Sequence, residues 1–208
     1  PPDEMLQKSQ DFYHEIKRRR SVREFSARPI PAGVINNAVL AAGCAPSGAN
    51  QQPWQFTVVS NPEIKRQIRE EAEKIERKLY TEIAPDDWLT ALAPLATDAS
   101  KPFLEKAPCL IVISAKKYAL DKDGNKQKVY YAQESVGIAT GILLTALHMS
   151  GLATLTYTPS PMNFLSMVLQ RPDNERPYMI IVAGFPAEST SVPVLEKFPL
   201  EQIAEFIV

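Results

Sequence analysis

The most apolar stretch of the chain, residues 128–150, sets the strongest constraint on its fold. Large apolar side chains recur there at helical spacing, with alanine and glycine between them: Val136, Ile138, Ile142, Leu143, Leu144 and Leu147. This spacing predicts a long helix, and its small residues allow another helix to approach closely. We therefore expect this helix at the centre of the fold or against a second copy of the chain, with Gly151 ending it.

The rest of the chain switches between helical and strand-like patterns. Apolar residues at helical spacing predict helices over 3–19, 31–43 and 61–83, and a shorter helical stretch at Leu89, Leu92 and Leu95. Apolar and β-branched runs predict strands over 55–60, 110–114, 154–158 and 178–185. Residues 200–208 are also rich in apolar side chains but have no obvious partner in the chain. This segment is therefore expected to pack on a second copy.

Length, charge and cysteine count exclude several classes of protein. The 208 residues suit one domain with a full core. A net charge of -1 provides no global field that would recruit nucleic acid or an anionic membrane. No apolar run reaches the roughly 18 residues that span a bilayer, and two cysteines give no disulfide framework. We expect a soluble cytoplasmic protein without a metal site, although a start without Met leaves open that an upstream anchor was removed.

Two segments predict a phosphate site. Residues 17–23 are dense in guanidinium groups, which at a helix C-terminus also suit the helix dipole without any function. Ser21 and Arg23 add a hydroxyl and a further guanidinium, which favours a phosphate clamp. Lys17 and Arg18 are interpreted as helix-end charges instead. Downstream, residues 46–48 predict a loop that can approach a flat ligand because Gly48 has no side chain. A plain helix-to-strand connection is the alternative for this loop.

Several segments together resemble a known family. They are residues 19–23, residues 45–49 with Pro53-Trp54, the helix with Glu76 and Tyr80, Lys101 before Ala107-Pro108, and residues 151–159. They resemble the nitroreductase-fold flavoproteins, and among these most closely the iodotyrosine deiodinases. The arginine motif is shared by many nitroreductases, whereas the spacing of Glu76, Tyr80 and Lys101 is that of the deiodinases. From spacing alone, Glu76 and Tyr80 would instead belong to a solvated helix surface.

The resemblance implies an α+β protein with the nitroreductase fold. A mixed central sheet would be flanked by helices, and two chains would form an intertwined homodimer with exchanged C-terminal segments. The chain would be one FMN-binding domain over residues 1–208. An active-site lid is expected over about 70–105 and a dimer extension over about 187–208.

The resemblance also implies which residues hold FMN. The phosphate and ribityl end would contact Arg19, Arg20, Ser21, Val22 and Arg23. The isoalloxazine ring would lie against Pro46, Ser47 and Gly48 on one side and along Thr156, Tyr157 and Thr158 on the other. The family completes its phosphate site with an arginine near the C-terminus. Lys197 stands nearest to that position here, which keeps the charge but not the bidentate geometry.

The implied reaction is reductive dehalogenation of a halogenated tyrosine. Glu76, Tyr80 and Lys101 supply an acceptor, a hydroxyl and a cation, which complement the ammonium and carboxylate of an amino acid. The backbone N–H of Ala49 would bind the phenolate oxygen of the substrate. The Thr158 hydroxyl would donate to flavin N5 and permit one-electron steps, although a threonine before a proline also suits a strand end. Electrons would come from NAD(P)H, directly or through a separate reductase.

Two other functions stay open at this point. A broad nitro or quinone reductase would keep the fold and take flat aromatic substrates, but it would have no need of the groups that match a zwitterion. A non-catalytic protein that binds a flavin or a tyrosine derivative would have no need of the Thr158 hydroxyl. Cys44 lies near the expected flavin loop, and a small buried residue is the interpretation that we favour for it over a redox thiol.

Overall fold

The computed structural model describes residues 1–31, 33–83 and 98–207. The helices are α1 (Pro2–Arg18), α2 (Val34–Gly43), α3 (Pro62–Lys78), α4 (Phe103–Lys106), α5 (Ala132–Met149), α6 (Phe164–Val168) and α7 (Leu200–Ile203). A short 3-10 helix covers Gly48–Asn50, and a π-helical turn, Leu79–Ile83, continues α3. The strands are β1 (Trp54–Val59), β2 (Cys109–Lys116), β3 (Tyr118–Leu120), β4 (Lys126–Lys128), β5 (Ala153–Tyr157) and β6 (Glu175–Gly184).

Four strands form the central sheet in the order β1-β2-β6-β5, and β3 and β4 form a separate hairpin. Neighbouring strands of the central sheet pair antiparallel. A single parallel bridge joins Ser21 to Thr154 at the outer strand, which makes the sheet mixed in that one place. Strand β2 is buried from Cys109 to Ala115, because both faces of the sheet are covered. The chain therefore has the expected α+β architecture.

Two apolar clusters cover the two faces of the sheet. On one face, α3, α4 and α6 pack through Ile68, Ala72, Phe103, Leu104, Phe164 and Leu165. On the other face, α2 and α5 pack through Ala38, Ala42, Val136, Ala139, Leu143 and Leu147. Helix α5 is thus the central helix that its composition predicted. Its small residues allow α2 to lie close against it, since both helices present alanines in the same cluster.

Several boundaries differ from the sequence predictions. Helix α5 begins at Ala132 rather than at residue 128, because residues 126–128 pair with β3 in the hairpin. Helix α2 begins at Val34 rather than at Pro31, because Gly33 adopts the left-handed conformation with φ of 91° and cannot continue a helix. Helices α4 and α6 were not predicted. The predicted helical stretch at Leu89, Leu92 and Leu95, and much of the predicted lid, lie outside the described residues.

Helix α1 and the C-terminal segment present apolar side chains to the outside. Leu6, Phe12 and Tyr13 on α1 are more than half exposed, and so are Ile203 and Phe206 near the end of the chain. Exposure of so many large apolar side chains is typical of a surface that another protein covers. None of the described helices combines the length and hydropathy that a membrane crossing requires.

Candidate active site

The site is centred on a buried ion pair between α3 and the loop before α4. Glu76 lies in the last turn of α3, and Lys101 lies two residues before α4. Their charged groups are 3.4 Å apart, and only 7% of Glu76 and 3% of Lys101 is exposed. Helix α3 is fixed at its start by the Asn61 side chain, which accepts hydrogen bonds from the backbone N–H groups of Glu63 and Ile64.

Tyr80 completes the group that was expected from the sequence. It lies one turn after Glu76 in the π-helical turn, and the Lys101 ammonium is 5.5 Å from the centre of its ring. That distance is within the range of a cation–π interaction. The structure therefore brings Glu76, Tyr80 and Lys101 together, although the loop that carries Lys101 is distant in sequence.

Tyr157 also reaches this group, which the sequence did not indicate. Its hydroxyl donates a hydrogen bond of 2.9 Å to Glu76 Oε1. Its ring packs edge-on against Phe103, with the ring centres 5.5 Å apart. Burial, and after it the negative charge of Glu76, raises the pKa of Tyr157 well above its usual value. The phenol is therefore a permanent hydrogen-bond donor. Thr156 on β5 and Thr158, which directly follows the strand, are both exposed.

A second carboxylate, that of Glu73, binds the backbone of Lys101. Glu73 Oε1 accepts a hydrogen bond of 2.8 Å from the backbone N–H of Lys101. Its other oxygen is 3.0 Å from the Arg69 guanidinium, which also donates to Glu105 at 2.7 Å. Glu73 was not among the site residues predicted from the sequence. The spacing of Arg69 and Glu73, i and i+4 on a helix, was the one signal that could have identified this pair.

The arginine segment leaves α1 and runs beside the outer strand of the sheet. The backbone N–H of Val22 donates to the Thr154 carbonyl at 3.1 Å. A cavity of about 410 Å³ lies beside this segment, and its lining includes Arg18, Arg19 and Arg20. Guanidinium groups suit a phosphate because their paired donors match its oxygens. In this structure Arg18 pairs with Glu15 at 3.2 Å, Arg20 donates to the Pro193 carbonyl, and Glu188 also lines the cavity.

Arg20 connects this cavity to a second one. An adjoining cavity of about 500 Å³ is lined by Arg20, Lys17 and Lys197. Lys197 thus lines the same cavity as Arg20. Lys17 and Arg18 lie in the last turn of α1, as their interpretation as helix-end charges predicts, and they also line these cavities.

The loop after α2 is held by contacts within the protein. Cys44 at its start is exposed, so the interpretation of Cys44 as a small buried residue is wrong. Ser47 Oγ accepts a hydrogen bond from the backbone N–H of Gln52 at 3.0 Å. A Cβ atom at Gly48 would lie 3.0 Å from the Tyr130 carbonyl oxygen and 3.1 Å from the Tyr131 ring, so a side chain would not fit there without movement. Gly48 is therefore required by the approach of the segment before α5. Ala49 has φ of 49°, a left-handed conformation that is unusual for a residue with a side chain.

Comparison with known proteins identifies the family. The sequence profile of the nitroreductase family matches residues 16–185. The chain belongs to the nitroreductase family. An iodotyrosine deiodinase of Haliscomenobacter hydrossis is 54% identical over 196 residues, covering 94% of this chain and 88% of that protein. Human iodotyrosine deiodinase 1 is 41% identical over 204 residues, covering 98% of this chain and 71% of that protein.

A solved structure agrees with these sequence matches. A crystal structure of oxidized iodotyrosine deiodinase bound to FMN and 3-iodo-L-tyrosine matches with a TM-score of 0.80 and 29% identity, over 90% of this chain and 96% of that chain. The resemblance to the iodotyrosine deiodinases, expected from the motifs, is confirmed. The nitroreductase fold is confirmed as well.

Proposed function

We propose that this chain is an FMN-dependent enzyme that reductively removes halogen from halogenated tyrosines. The observation that carries the proposal is the buried group of Glu76, Tyr80 and Lys101, which matches the amino-acid end of such a substrate. A protein named iodotyrosine deiodinase is 54% identical to the chain over 94% of its length. A broad reductase of flat aromatics would not require a buried carboxylate paired with a buried ammonium.

The basic cavities beside the sheet support the assignment of FMN. Its phosphate and ribityl chain are assigned to Arg19, Arg20, Val22 and Lys197, which line these cavities. Ser21 and Arg23, which flank Val22 in the chain, are assigned to the same end of the cofactor. The isoalloxazine ring is assigned to Pro46, Ser47 and Gly48 and to the end of β5, where Thr156 and Thr158 expose their side chains. The Tyr157 hydroxyl is engaged by Glu76, so only the backbone of Tyr157 is left for the flavin.

The substrate is held by its amino-acid end. Lys101 and Glu76 attract each other across 3.4 Å, so a zwitterion can insert with its carboxylate at Lys101 and its ammonium at Glu76. The substrate carboxylate then takes the place of the Glu76 carboxylate beside Lys101, and the substrate ammonium takes the place of the Lys101 ammonium beside Glu76. Burial of the pair excludes water and strengthens both contacts. The phenolate oxygen at the other end is assigned to the backbone N–H of Ala49.

The reaction replaces a halogen on the ring by hydrogen. The carbon–halogen bond breaks, halide leaves, and two electrons and one proton complete the new C–H bond. Bound FMN supplies the electrons and is itself reduced by NAD(P)H, directly or through a separate reductase. The protein orients the ring and holds the proton of the Thr158 hydroxyl close to the end of β5, where it can donate to flavin N5. Cytoplasm suits this chemistry and the two unpaired cysteines.

The active form is assigned as a homodimer with exchanged C-terminal segments. Helix α1 and residues 200–207 expose large apolar side chains, which a second copy would cover. The cavity shared by Arg20 and Lys197 lies beside both of these surfaces, since Tyr13 and Phe198 also line it. Burial of these surfaces on dimerisation would therefore cover the cavity that is assigned to the cofactor.

The test uses the FMN-loaded protein, reduced in the absence of oxygen. Diiodotyrosine is expected to reoxidise the flavin rapidly and to release iodide and tyrosine, whereas diiodophenol, which lacks the amino-acid end, is expected to react far more slowly. Equal reoxidation by both compounds would identify a broad reductase instead. A colourless protein that does not take up FMN would contradict the proposal altogether.

A further inference from the structure

The hydrogen bond from Tyr157 to Glu76 joins two parts of the molecule that the proposed reaction uses separately. Glu76 lies in the last turn of α3, whereas Tyr157 is the last residue of β5 in the central sheet. Residue 157 lies immediately before Thr158, which is assigned to the flavin. The contact therefore ties the carboxylate that recognises the substrate to the strand that borders the cofactor.

The surroundings of Tyr157 fix the direction of its hydroxyl. The residue is buried and its backbone pairs with Ile180 of the neighbouring strand. Its ring stands nearly perpendicular to that of Phe103, with an angle of 83° between the ring planes. Phe103 begins α4, two residues after Lys101. A ring held by a strand and a helix in this way loses little freedom when its hydroxyl binds Glu76.

We propose that Tyr157 is a positioning residue that keeps Glu76 available for the ammonium group of the substrate. This inference rests on the proposed function. The hydroxyl holds Oε1 of Glu76, and the Lys101 ammonium lies near Oε2. With one oxygen anchored on the strand, the carboxylate cannot turn both oxygens toward Lys101. The Glu76 carboxylate is thus held between the Tyr157 hydroxyl and the Lys101 ammonium. In this orientation it can still accept a hydrogen bond from the ammonium group of the substrate.

A carboxylate can accept hydrogen bonds from several donors at once. Each carboxylate oxygen has two acceptor sites, so Oε1 can accept from Tyr157 and from a substrate ammonium together. Without the hydroxyl, Glu76 would lose one donor in a buried site, and its closer pairing with Lys101 would compensate. A closer internal ion pair competes with both charges of the substrate. Loss of the Tyr157 hydroxyl should therefore weaken recognition of the amino-acid end and leave recognition of the ring unchanged.

The test compares two ligands in three forms of the FMN-loaded protein, with binding measured by quenching of flavin fluorescence. Tyr157→Phe removes the hydroxyl and keeps the ring packing. Tyr118→Phe is the matched control, because Tyr118 lies on the β3–β4 hairpin beside Lys126. We expect Tyr157→Phe to raise the Kd for diiodotyrosine about tenfold, the loss typical of a hydrogen bond to a charged group. The Kd for diiodophenol should not change, and the control should change neither value.

A double-mutant cycle with Glu76→Gln shows whether Tyr157 acts through Glu76. In the Glu76→Gln background, Tyr157→Phe should have little further effect on diiodotyrosine binding. Equal weakening of both ligands by Tyr157→Phe, no weakening of either, or an undiminished effect in the Glu76→Gln background would each overturn the inference. If the unaltered protein itself binds diiodotyrosine no more tightly than diiodophenol, the proposed function fails instead.

Discussion

Replacement of Glu73 by glutamine tests whether the network beneath the site holds Lys101 in place. Glu73 is only 8% exposed, and its two oxygens bind the backbone N–H of Lys101 at 2.8 Å and the Arg69 guanidinium at 3.0 Å. Glutamine has nearly the same shape and can keep one acceptor. It loses the negative charge and places an amide NH₂ where one carboxylate oxygen stood.

The expected loss follows from these two contacts. Hydrogen bonds to charged groups contribute about 1.5–3 kcal/mol each, and neutral ones about 0.5–1.5 kcal/mol. Glu73→Gln converts one contact to a neutral one and removes the other, while Arg69 keeps its second partner, Glu105. We therefore expect a loss of about 3 kcal/mol in the free energy of unfolding, which in a chain of this size lowers the Tm by about 6–12 °C.

The assay is thermal unfolding with saturating FMN, at equal protein concentration for all variants because a dimer unfolds in a concentration-dependent way. Glu70→Gln is the matched control. Glu70 lies on the same helix and also pairs with an arginine four residues earlier, Arg66 at 2.6 Å, but 42% of its side chain is exposed. A surface pair contributes little, so the control should unfold close to the temperature of the unaltered protein.

The same variants are then compared for diiodotyrosine binding. Glu73→Gln should weaken it, since the backbone of Lys101 loses its anchor, whereas Glu70→Gln should not. Equal melting temperatures for the two variants would refute the reasoning about the network. A lower Tm for Glu73→Gln with unchanged diiodotyrosine binding would show that the network stabilises the fold without positioning Lys101.

Three further predictions concern the cofactor, the reaction and the cysteines. Arg19→Gln should weaken FMN binding about tenfold or more, because a phosphate contact loses its charge. The control Arg66→Gln, on the exposed face of α3, should not weaken it. Equal flavin content in the two variants would contradict the assigned phosphate site. Thr158→Ala should slow dehalogenation in a single turnover and leave the Kd for diiodotyrosine unchanged, and an unaltered rate would remove Thr158 from the reaction. Burial raises the pKa of Cys109 to about 11, so at pH 8 its thiolate fraction is lower than that of an ordinary cysteine. Iodoacetamide should therefore modify exposed Cys44 but not Cys109 in the folded protein, and two labels per folded chain would be the contrary result.

Local patterns predicted the long elements correctly. The apolar run at 110–114 lies within β2, because a strand covered on both faces must be apolar throughout. The helix predicted over 61–83 corresponds to α3 and its π-helical turn, where the stripe that includes Ile68 and Ala72 packs on the sheet. Helices α4 and α6 were missed because four or five residues are too few to show a helical period.

The sequence by itself determined which chemical groups the chain can offer and which of them share a helix face. Glu76 and Tyr80 project together because the geometry of a helix depends only on neighbouring residues, and the density of charge at residues 17–23 is a property of composition. Whether Glu76 lies in solvent or in a site was decided by the fold, which buries it beside Lys101 and Tyr157.

Tertiary structure alone decided the partners of these groups. Tyr157 and Glu76 are 81 residues apart in sequence, and their contact depends on how α3 packs over the sheet and on the register of β5 against β6. A shift of that register by one residue would turn the Tyr157 side chain to the other face of the sheet. A local sequence pattern carries no information about contacts between residues so far apart in the chain. The sequence therefore indicated the groups that recognise an amino acid, whereas only the packed structure showed how Tyr157 and Glu73 hold them.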